Sequence, residues 1–187
     1  VVLSAQTTDV NVNNATKNIY PKYSKPEHFV KLGRKKIERL IKSIGIFRVK
    51  AKSIYLLSKQ LIEKHGGKVP QTFEELEKLQ GVGHKTASVV MSQGFGYPAF
   101  PVDTHVHRVT GRLGLRPHRM SAEVAHQHLE AVFRQQHYYP AHMNLIRLGR
   151  EICRARRPRC PECALRNCCD YWNVARTSIP DAGGAEA

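Results

Sequence analysis

The sequence predicts an all-α fold made of two helical lobes. Apolar residues recur with a helical period along most of the chain, and no segment shows the sustained alternation typical of a strand. A loop at residues 94–101, with two glycines and two prolines, divides the helical segments. We therefore expect lobes at residues 1–97 and 98–173, followed by a disordered tail at residues 174–187 that is rich in Ala, Gly and Ser.

The helices of the first lobe are predicted from apolar faces and one capping motif. Two apolar faces have helical spacing, one formed by Ile37, Leu40, Ile41 and Ile44 and the next by Ile54, Leu57, Leu61 and Ile62. Thr72 followed by Glu75 is typical of a capping box and predicts the start of a short helix. A glycine-rich turn then precedes a further helix at residues 84–93.

The second lobe is predicted to contain three helices. Asp103 is expected to be the N-cap of a helix that runs to about Leu113. Ser121 opens the next helix, whose buried side is predicted to be Ala125, Leu129, Val132 and Phe133. Pro140 precedes the last long helix, at residues 141–152, which leads into a group of cysteines.

The charge of the chain indicates a polyanionic partner. Lys and Arg number 30 against 15 Asp and Glu, which gives a formal charge of +15 and a pI near 9.9. Nucleic acid is the first expectation and an anionic membrane surface the second. The basic residues are spread along the chain, which favours a folded basic face. No apolar run approaches the ~18 residues of a membrane-spanning helix, and no targeting segment is visible, which indicates the bacterial cytoplasm.

Four cysteines predict a metal centre. They follow the pattern Cys153-x6-Cys160-x2-Cys163-x5-Cys169. Four thiolates so close in sequence suit an iron–sulfur cluster or zinc, but zinc modules usually pair two short knuckles across a longer loop. The single knuckle here favours a cubane cluster. Cys168 is an alternative fourth ligand, and disulfides are the less favoured reading because nothing else in the chain is typical of a secreted protein.

The turn at residues 79–86 is a candidate DNA-binding hairpin. Its Gly-Val-Gly core leaves backbone N–H groups bare, and these together with the positive end of the following helix form a phosphate site. Such a site grips the DNA backbone without reading bases. A plain helix–helix turn with a glycine cap is the alternative, which the charge of the chain disfavours. A weaker second copy lies at residues 44–47, followed by Arg48, Lys50 and Lys52, where a solvated basic face is almost as good an interpretation.

Lys85 and Asp103 are the candidate catalytic residues. Lys85 lies just inside the second helix of the hairpin, where the helix N-terminus and neighbouring cations favour the neutral, nucleophilic amine. That amine could form a Schiff base with C1′ of a sugar. Asp103 could take the lysine proton and stabilise positive charge on a deoxyribose ring. His105 and His107 are two residues apart and are expected to pack or to contact phosphate, not to bind a metal.

These segments together closely resemble endonuclease III, the DNA glycosylase and abasic-site lyase of the helix-hairpin-helix superfamily. The resemblance rests on Gly-Val-Gly-His-Lys-Thr-Ala at residues 81–87, Val-Asp-Thr-His at 102–105 and the four-cysteine loop. Leu-Ser-Ala-Gln-Thr-Thr-Asp at residues 3–9 also matches the family pattern, and the similarity extends to about residue 172.

The resemblance implies a role for each matching residue. Lys85 corresponds to the nucleophile and Asp103 to the catalytic carboxylate. The ligands of a 4Fe-4S cluster are implied to be Cys153, Cys160, Cys163 and Cys169, which leaves Cys168 spare. Gln6 matches the residue that fills the gap left by the extruded base, and Ile46 falls where the family places an apolar wedge, usually Leu. The implied DNA contacts are Gln6, Ile46, Gln80, Gly81, Val82, Gly83, His84, Thr86 and His105.

The resemblance also implies the architecture and the activity. One lobe would be a helical barrel with the hairpin, the other would carry the cluster, and DNA would lie in the cleft between them. A monomer in the nucleoid would excise oxidised pyrimidines from double-stranded DNA and cut the strand 3′ to the abasic site by β-elimination. No membrane partner is expected.

Two departures from the family pattern accompany the resemblance. Gln80 stands where a proline commonly precedes the hairpin glycine, which is expected to loosen the turn. The chain opens at Val1, without the residues that normally precede this segment and complete the first barrel helix, so the start is expected to be truncated, with a cost in stability.

Three other functions compete with this interpretation. A monofunctional glycosylase of the adenine-specific branch should lack a lysine at position 85 and carry a further C-terminal domain. A non-catalytic DNA-binding iron–sulfur protein has no need of the pair Lys85 and Asp103. A structural zinc protein is the third alternative.

Overall fold

The computed structural model describes residues 1–4, 7 and 9–177, and every regular element in them is helical. The absence of strands from the described residues confirms the all-α class. The α-helices are α1 Asp9–Thr16, α2 Pro26–Leu32, α3 Arg34–Leu40, α4 Phe47–His65, α5 Phe73–Glu77, α6 His84–Val89, α7 Thr104–Leu113, α8 Ala122–Val132, α9 Tyr138–Glu151 and α10 Asp170–Thr177. The chain divides into two compact units, residues 1–96 (unit 1) and 97–187 (unit 2).

Unit 1 is built on the long helix α4. Its first half packs against α2 and α3, and Ala51 joins an apolar cluster completed by Ile19, Ile37, Ile41 and Ile44. Its second half contributes Leu61 to another cluster, completed by Leu76, Leu79, Val82, Ala87 and Met91. Three residues of the first predicted face are buried (Ile37, Ile41 and Ile44), but α3 ends at Leu40, so the last two lie beyond the helix. In the second predicted face Leu61 is buried and the other residues are partly buried. Because α4 reaches both clusters, it holds the segment at residues 76–91 against the rest of the unit.

Half of the predicted capping box is present at the start of α5, because the Glu75 carboxylate accepts from the Thr72 hydroxyl and not from the Thr72 backbone N–H. The backbone N–H of Glu75 donates to Thr72 Oγ1 at 3.3 Å, and Thr72 Oγ1 donates to Glu75 Oε2 at 2.9 Å. The Thr72 side chain therefore satisfies one of the N–H groups that a helix start leaves without a partner.

Unit 2 packs around α7. The buried residues are Phe100, Val102, Val106, Val109, Ala125, Leu129 and Leu145. Val132, which was expected on the buried side of α8, is instead 47 % exposed. The helix ends at this residue and the backbone becomes extended at Phe133, whose ring takes the inward position and stacks on Phe100 at 5.2 Å between centroids.

Two helix ends in unit 2 differ from the prediction. Helix α9 begins at Tyr138, so Pro140 lies in its first turn, where the missing N–H costs no hydrogen bond. Helix α10 continues to Thr177, four residues into the segment expected to be a tail, and residues 178–187 lie outside the described part of the chain. Among the described helices, none is long and apolar enough to cross a membrane.

Lys50 departs from the solvated basic face predicted for the start of α4. Arg48 and Lys52 are exposed as expected, but Lys50 is only 3 % exposed. Position 50 lies beside Ala51 on the side of the helix that faces the core. The Lys50 amine has no hydrogen-bond partner among the residues described, and burial lowers the pKa of this group. The first turn of α4 adds the positive end of the helix dipole, so the ammonium form is unfavourable here.

Replacing this amine should stabilise the protein. We expect Lys50→Met to raise the free energy of unfolding by about 1–3 kcal/mol at neutral pH, because a thioether fills a similar volume without an unsatisfied donor. The pKa of Lys50 is lower in the folded than in the unfolded chain, so the unfolded chain binds more protons and wild-type stability rises with pH between the two pKa values. The advantage of the variant should therefore shrink as pH rises.

Urea unfolding from about pH 7 to about pH 10 measures this difference. Lys52→Met, at an exposed position two residues along the same helix, is the matched control and should change stability little. A Lys50→Met protein no more stable than wild type at neutral pH would contradict the prediction.

Candidate nucleic-acid interface and metal centre

The hairpin turn between α5 and α6 is held down by its apolar residues. Leu79 and Val82 are buried, and the N–H of Val82 donates to the carbonyl of Leu79 at 3.1 Å. Gly81 between them has φ 79°, and a Cβ added there would lie 2.9 Å from the Cβ of Ser53 on α4. Both the left-handed backbone and this close approach require glycine at position 81. The turn is therefore pressed directly against helix α4.

Gln80 strengthens the turn, contrary to the expectation that the absence of proline loosens it. Its backbone N–H donates to Gln60 Oε1 at 2.7 Å, and Gln60 Nε2 donates to the carbonyl of Lys78 at 3.3 Å. A proline at position 80 would have no N–H for this bond. Sequence reasoning missed Gln60, because a partner 20 residues away on another helix leaves no local pattern.

Lys85 is the second residue of α6 and is exposed. It makes no hydrogen bond or ion pair with the described residues, so its amine is available to a ligand. Gly83 occupies the N-cap position, and within the described residues no side chain caps the helix. The first N–H groups of α6 therefore lie beside Lys85 without a side-chain cap in the described part of the chain. Their partial positive charge and the lysine make this surface suited to bind an anion.

His84 and Thr86 flank the lysine in different ways. His84 Nδ1 lies 2.7 Å from Glu77 Oε1, and the imidazole ring stacks on Phe73 at 5.4 Å between centroids. These contacts brace α5 against α6. Thr86 is half-buried. The role of both residues in DNA contact stays a prediction.

Ile46, the predicted wedge, has an unusual backbone. It is the N-cap of α4 with φ 50° and ψ 33°, and its side chain is 50 % exposed. A left-handed conformation is a clear outlier for a β-branched residue and costs of order 1–3 kcal/mol. An apolar side chain is thus held outward at an energetic cost, and its role as a wedge in DNA stays a prediction. Gln6, the other residue predicted to enter the DNA, lies outside the described residues.

Asp103 is the N-cap of α7, as predicted. Its Oδ1 accepts the backbone N–H of Val106 at 2.7 Å, and the residue is half-buried. Oδ2 makes no hydrogen bond with the residues that the structure describes. The cap therefore fixes the carboxylate and leaves one oxygen available.

The two histidines near Asp103 have structural partners. His105 Nδ1 lies 3.1 Å from Arg108 Nη2, and this arginine also donates to the carbonyls of Gly149 and Cys153. His107 Nε2 lies 2.8 Å from the carbonyl of Met120. Both histidines therefore pack against neighbouring residues, as the sequence predicted, and a DNA contact of His105 stays a prediction.

The four predicted metal-ligating cysteines surround one cavity in unit 2. Cys153, Cys160, Cys163 and Cys169 all line it. Burial raises the pKa of the Cys160 thiol, and the other three thiols raise it further. Cys168 is exposed and directs its Sγ to the carbonyl of Leu165 at 3.2 Å, away from the set. In the described residues no three metal-ligating side chains converge closely enough to hold a single metal ion.

A family model and several similar relatives agree on one family. The model of the HhH-GPD superfamily base excision DNA repair protein matches residues 1–135. Endonuclease III of Bacillus subtilis is 46 % identical over 169 residues, 90 % of this chain and 77 % of the relative. Endonuclease III of Escherichia coli K12 is 40 % identical over 171 residues, 91 % of this chain and 81 % of the relative.

Solved structures show the same likeness. A trapped endonuclease III–DNA covalent intermediate superimposes with a TM-score of 0.89 at 40 % identity, covering 94 % of this chain and 82 % of that one. A thermostable thymine-DNA glycosylase gives a TM-score of 0.85 at 26 % identity, covering 92 % and 81 % of the two chains.

The packing of Gly81 against α4 can be tested by adding one methyl group. We expect Gly81→Ala to lower the free energy of unfolding by about 2–4 kcal/mol, since alanine meets both a left-handed backbone and the Ser53 side chain. Gly83→Ala is the control, because its φ is −98° and no atom lies within 4 Å of the added Cβ. It should cost less than about 1 kcal/mol. Urea unfolding of the two variants gives the answer, and equal losses would refute the argument.

Proposed function

The chain belongs to the HhH-GPD superfamily of base excision DNA repair proteins, in its endonuclease III family, and on this basis we propose a bifunctional enzyme. It removes oxidised pyrimidines from double-stranded DNA and then cleaves the strand at the abasic site. The observation that carries the proposal is Lys85, an exposed amine without an ion pair among the described residues, at the first turn of the hairpin's second helix. A similar protein has been captured as a covalent DNA intermediate.

The chemistry assigned to Lys85 is nucleophilic. The neutral amine attacks C1′ of the damaged nucleoside, the C1′–N glycosidic bond breaks, and its electron pair leaves with the base. The sugar ring opens and the C1′–N bond to Lys85 becomes an imine. Loss of a proton from C2′ then expels the 3′ phosphate, which cuts the strand 3′ to the lesion. Hydrolysis of the imine returns the free lysine.

Asp103 is proposed to assist at the same sugar. Its Oδ2 is available, while the bond from the Val106 N–H to Oδ1 keeps the carboxylate in place. It accepts the proton that the lysine loses and stabilises positive charge on the deoxyribose in the transition state.

DNA binding is supported by charge and by the hairpin. A formal charge of +15 predicts affinity that falls steeply with salt. The N–H groups of Gly81 and of residues 83–86 would bind backbone phosphates, since the Val82 N–H already donates to the Leu79 carbonyl. Ile46 would enter the stack while the damaged nucleotide is flipped out. A monomer suffices for this scheme, because each proposed residue belongs to the same chain.

The four cysteines that line the unit 2 cavity are proposed to hold a 4Fe-4S cluster. Each iron of such a cluster takes one thiolate, so the donors need to surround a cavity without converging on a point. When bound, the cluster supplies cross-links that order the loop at residues 153–169. That loop carries four arginines, Arg154, Arg156, Arg157 and Arg159. The first three are exposed and available for phosphate, while the Arg159 guanidinium is paired with Glu162.

Borohydride trapping on a duplex with one abasic site tests the nucleophile. The native chain should form a covalent adduct, and Lys85→Gln should form none, because only the lysine imine can be reduced to a stable amine. Lys64→Gln, at an exposed position on α4, is the matched control and should trap as the native chain does. Asp103→Asn should trap slowly without loss of stability, since asparagine caps a helix as well as aspartate.

The outcomes separate the competing functions. An adduct that survives Lys85→Gln would assign the nucleophile elsewhere. A folded native protein that binds the duplex and forms no adduct would favour a non-catalytic DNA-binding protein. Excision of the base without an adduct would favour a monofunctional glycosylase.

The choice of ligands can be tested with neighbouring cysteines. We expect Cys168→Ser to retain about four irons per chain and Cys169→Ser to lose them, because only Cys169 lines the cavity. Iron and sulfide analysis of the purified proteins measures this. Loss of iron from Cys168→Ser would make Cys168 the fourth ligand in place of Cys169. Zinc in the purified native chain would show that the four cysteines form a zinc site and not an iron–sulfur cluster.

A further inference from the structure

Arg112, in the last turn of α7, reaches the cysteine loop with both arms of its guanidinium. Nη1 lies 3.4 Å from Cys153 Sγ and donates to the carbonyl of Arg154 at 2.7 Å. Nη2 donates to the carbonyl of Ala155 at 3.1 Å. The guanidinium carbon also lies 4.6 Å from the centre of the Tyr171 ring, over its face. The N–H donors of the Arg112 guanidinium and one of its flat faces are therefore both in contact with the loop or with Tyr171.

These contacts join the two ends of the cysteine loop. Cys153 is the first of the four cavity-lining cysteines, and Tyr171 follows the last of them, Cys169, by two residues. Cys169 itself is buried, and its Sγ lies 3.3 Å from the backbone carbonyl of Arg112. One residue of α7 thus contacts the start and the end of a loop that is otherwise built from short turns and irregular backbone.

We propose that Arg112 is a positioning residue for the iron–sulfur cluster. Its side chain holds Cys153 in place and, through the stack on Tyr171, steadies the end of the loop beyond Cys169, and its N–H···S hydrogen bond to Cys153 raises the reduction potential of the cluster. This inference rests on the cluster in the proposed function. A cationic donor beside a thiolate ligand withdraws electron density from the sulfur, which favours the reduced and more negative state of a cluster. The same contact opposes dissociation of the thiolate.

Lysine could not replace this arginine. The three acceptors of Arg112 lie along one side of the guanidinium, where a planar fork can reach them together, and the stack on Tyr171 needs a flat cation. A lysine ammonium keeps the positive charge but has neither the fork nor the plane. Arg112→Lys therefore separates the geometry of the contact from its charge.

The experiment compares the native chain with Arg112→Lys, Arg112→Gln and a control, Arg147→Gln. Arg147 is an exposed arginine of α9 whose guanidinium pairs with Glu151, and it is not among the residues that line the cysteine cavity. For each protein, iron and sulfide content, the rate of iron loss to a chelator and the reduction potential by film voltammetry are measured without DNA. None of these readouts depends on glycosylase activity.

We expect both Arg112 variants to lose iron about 10-fold faster than the native chain and to have a lower reduction potential. Arg147→Gln should match the native chain in both. A native rate and potential in Arg112→Lys overturn the inference, and this variant decides the matter if Arg112→Gln does not fold. A native chain without iron overturns the cluster itself, which is visible before any variant is compared.

Discussion

The contact between the hairpin turn and helix α4 is the constraint on which unit 1 depends. Gly81 approaches Ser53 so closely that no side chain fits between them. Gln60, about two helical turns further along α4, also binds the hairpin. This turn fixes the start of α6 and therefore the position of Lys85. The proposed nucleophile is positioned by the packing of Gly81 against α4 and by the two hydrogen bonds of Gln60, and not by contacts of its own side chain.

In unit 2, helix α7 is the element that positions the proposed functional residues. Asp103 caps its first turn and Arg112 lies in its last, about 13 Å away along the helix axis. Between them, Arg108 binds two backbone carbonyls, one of which belongs to Cys153. The carboxylate proposed to act on DNA and the loop proposed to hold the cluster are thus mounted on one rigid element.

The sequence was sufficient for features that depend on neighbours along the chain. The apolar faces around Ile37 and Ile41, the caps at Thr72 and Asp103 and the set of four cysteines are all local patterns or motifs, and the structure has them. The endonuclease III motifs extended the prediction to a family, which the comparisons confirm.

The features that sequence reasoning missed depend on contacts between distant segments. Gln60 binds a turn 20 residues away, and Arg112 reaches a cysteine 41 residues away. Lys50 belongs to a run of basic residues, and only the packing of α4 shows that it is buried. Such contacts have no period or motif of their own, because they arise when one helix is laid against another.

Ile46 has a consequence for the way this family can vary. At a left-handed position, glycine would relieve the backbone at no steric cost, so selection for folding alone would favour it. The proposed wedge role would supply a second selective pressure that opposes the first and keeps a branched apolar side chain here. Natural variation here should be limited to bulky apolar side chains, and a glycine would mark a lineage in which penetration of the base stack is no longer under selection.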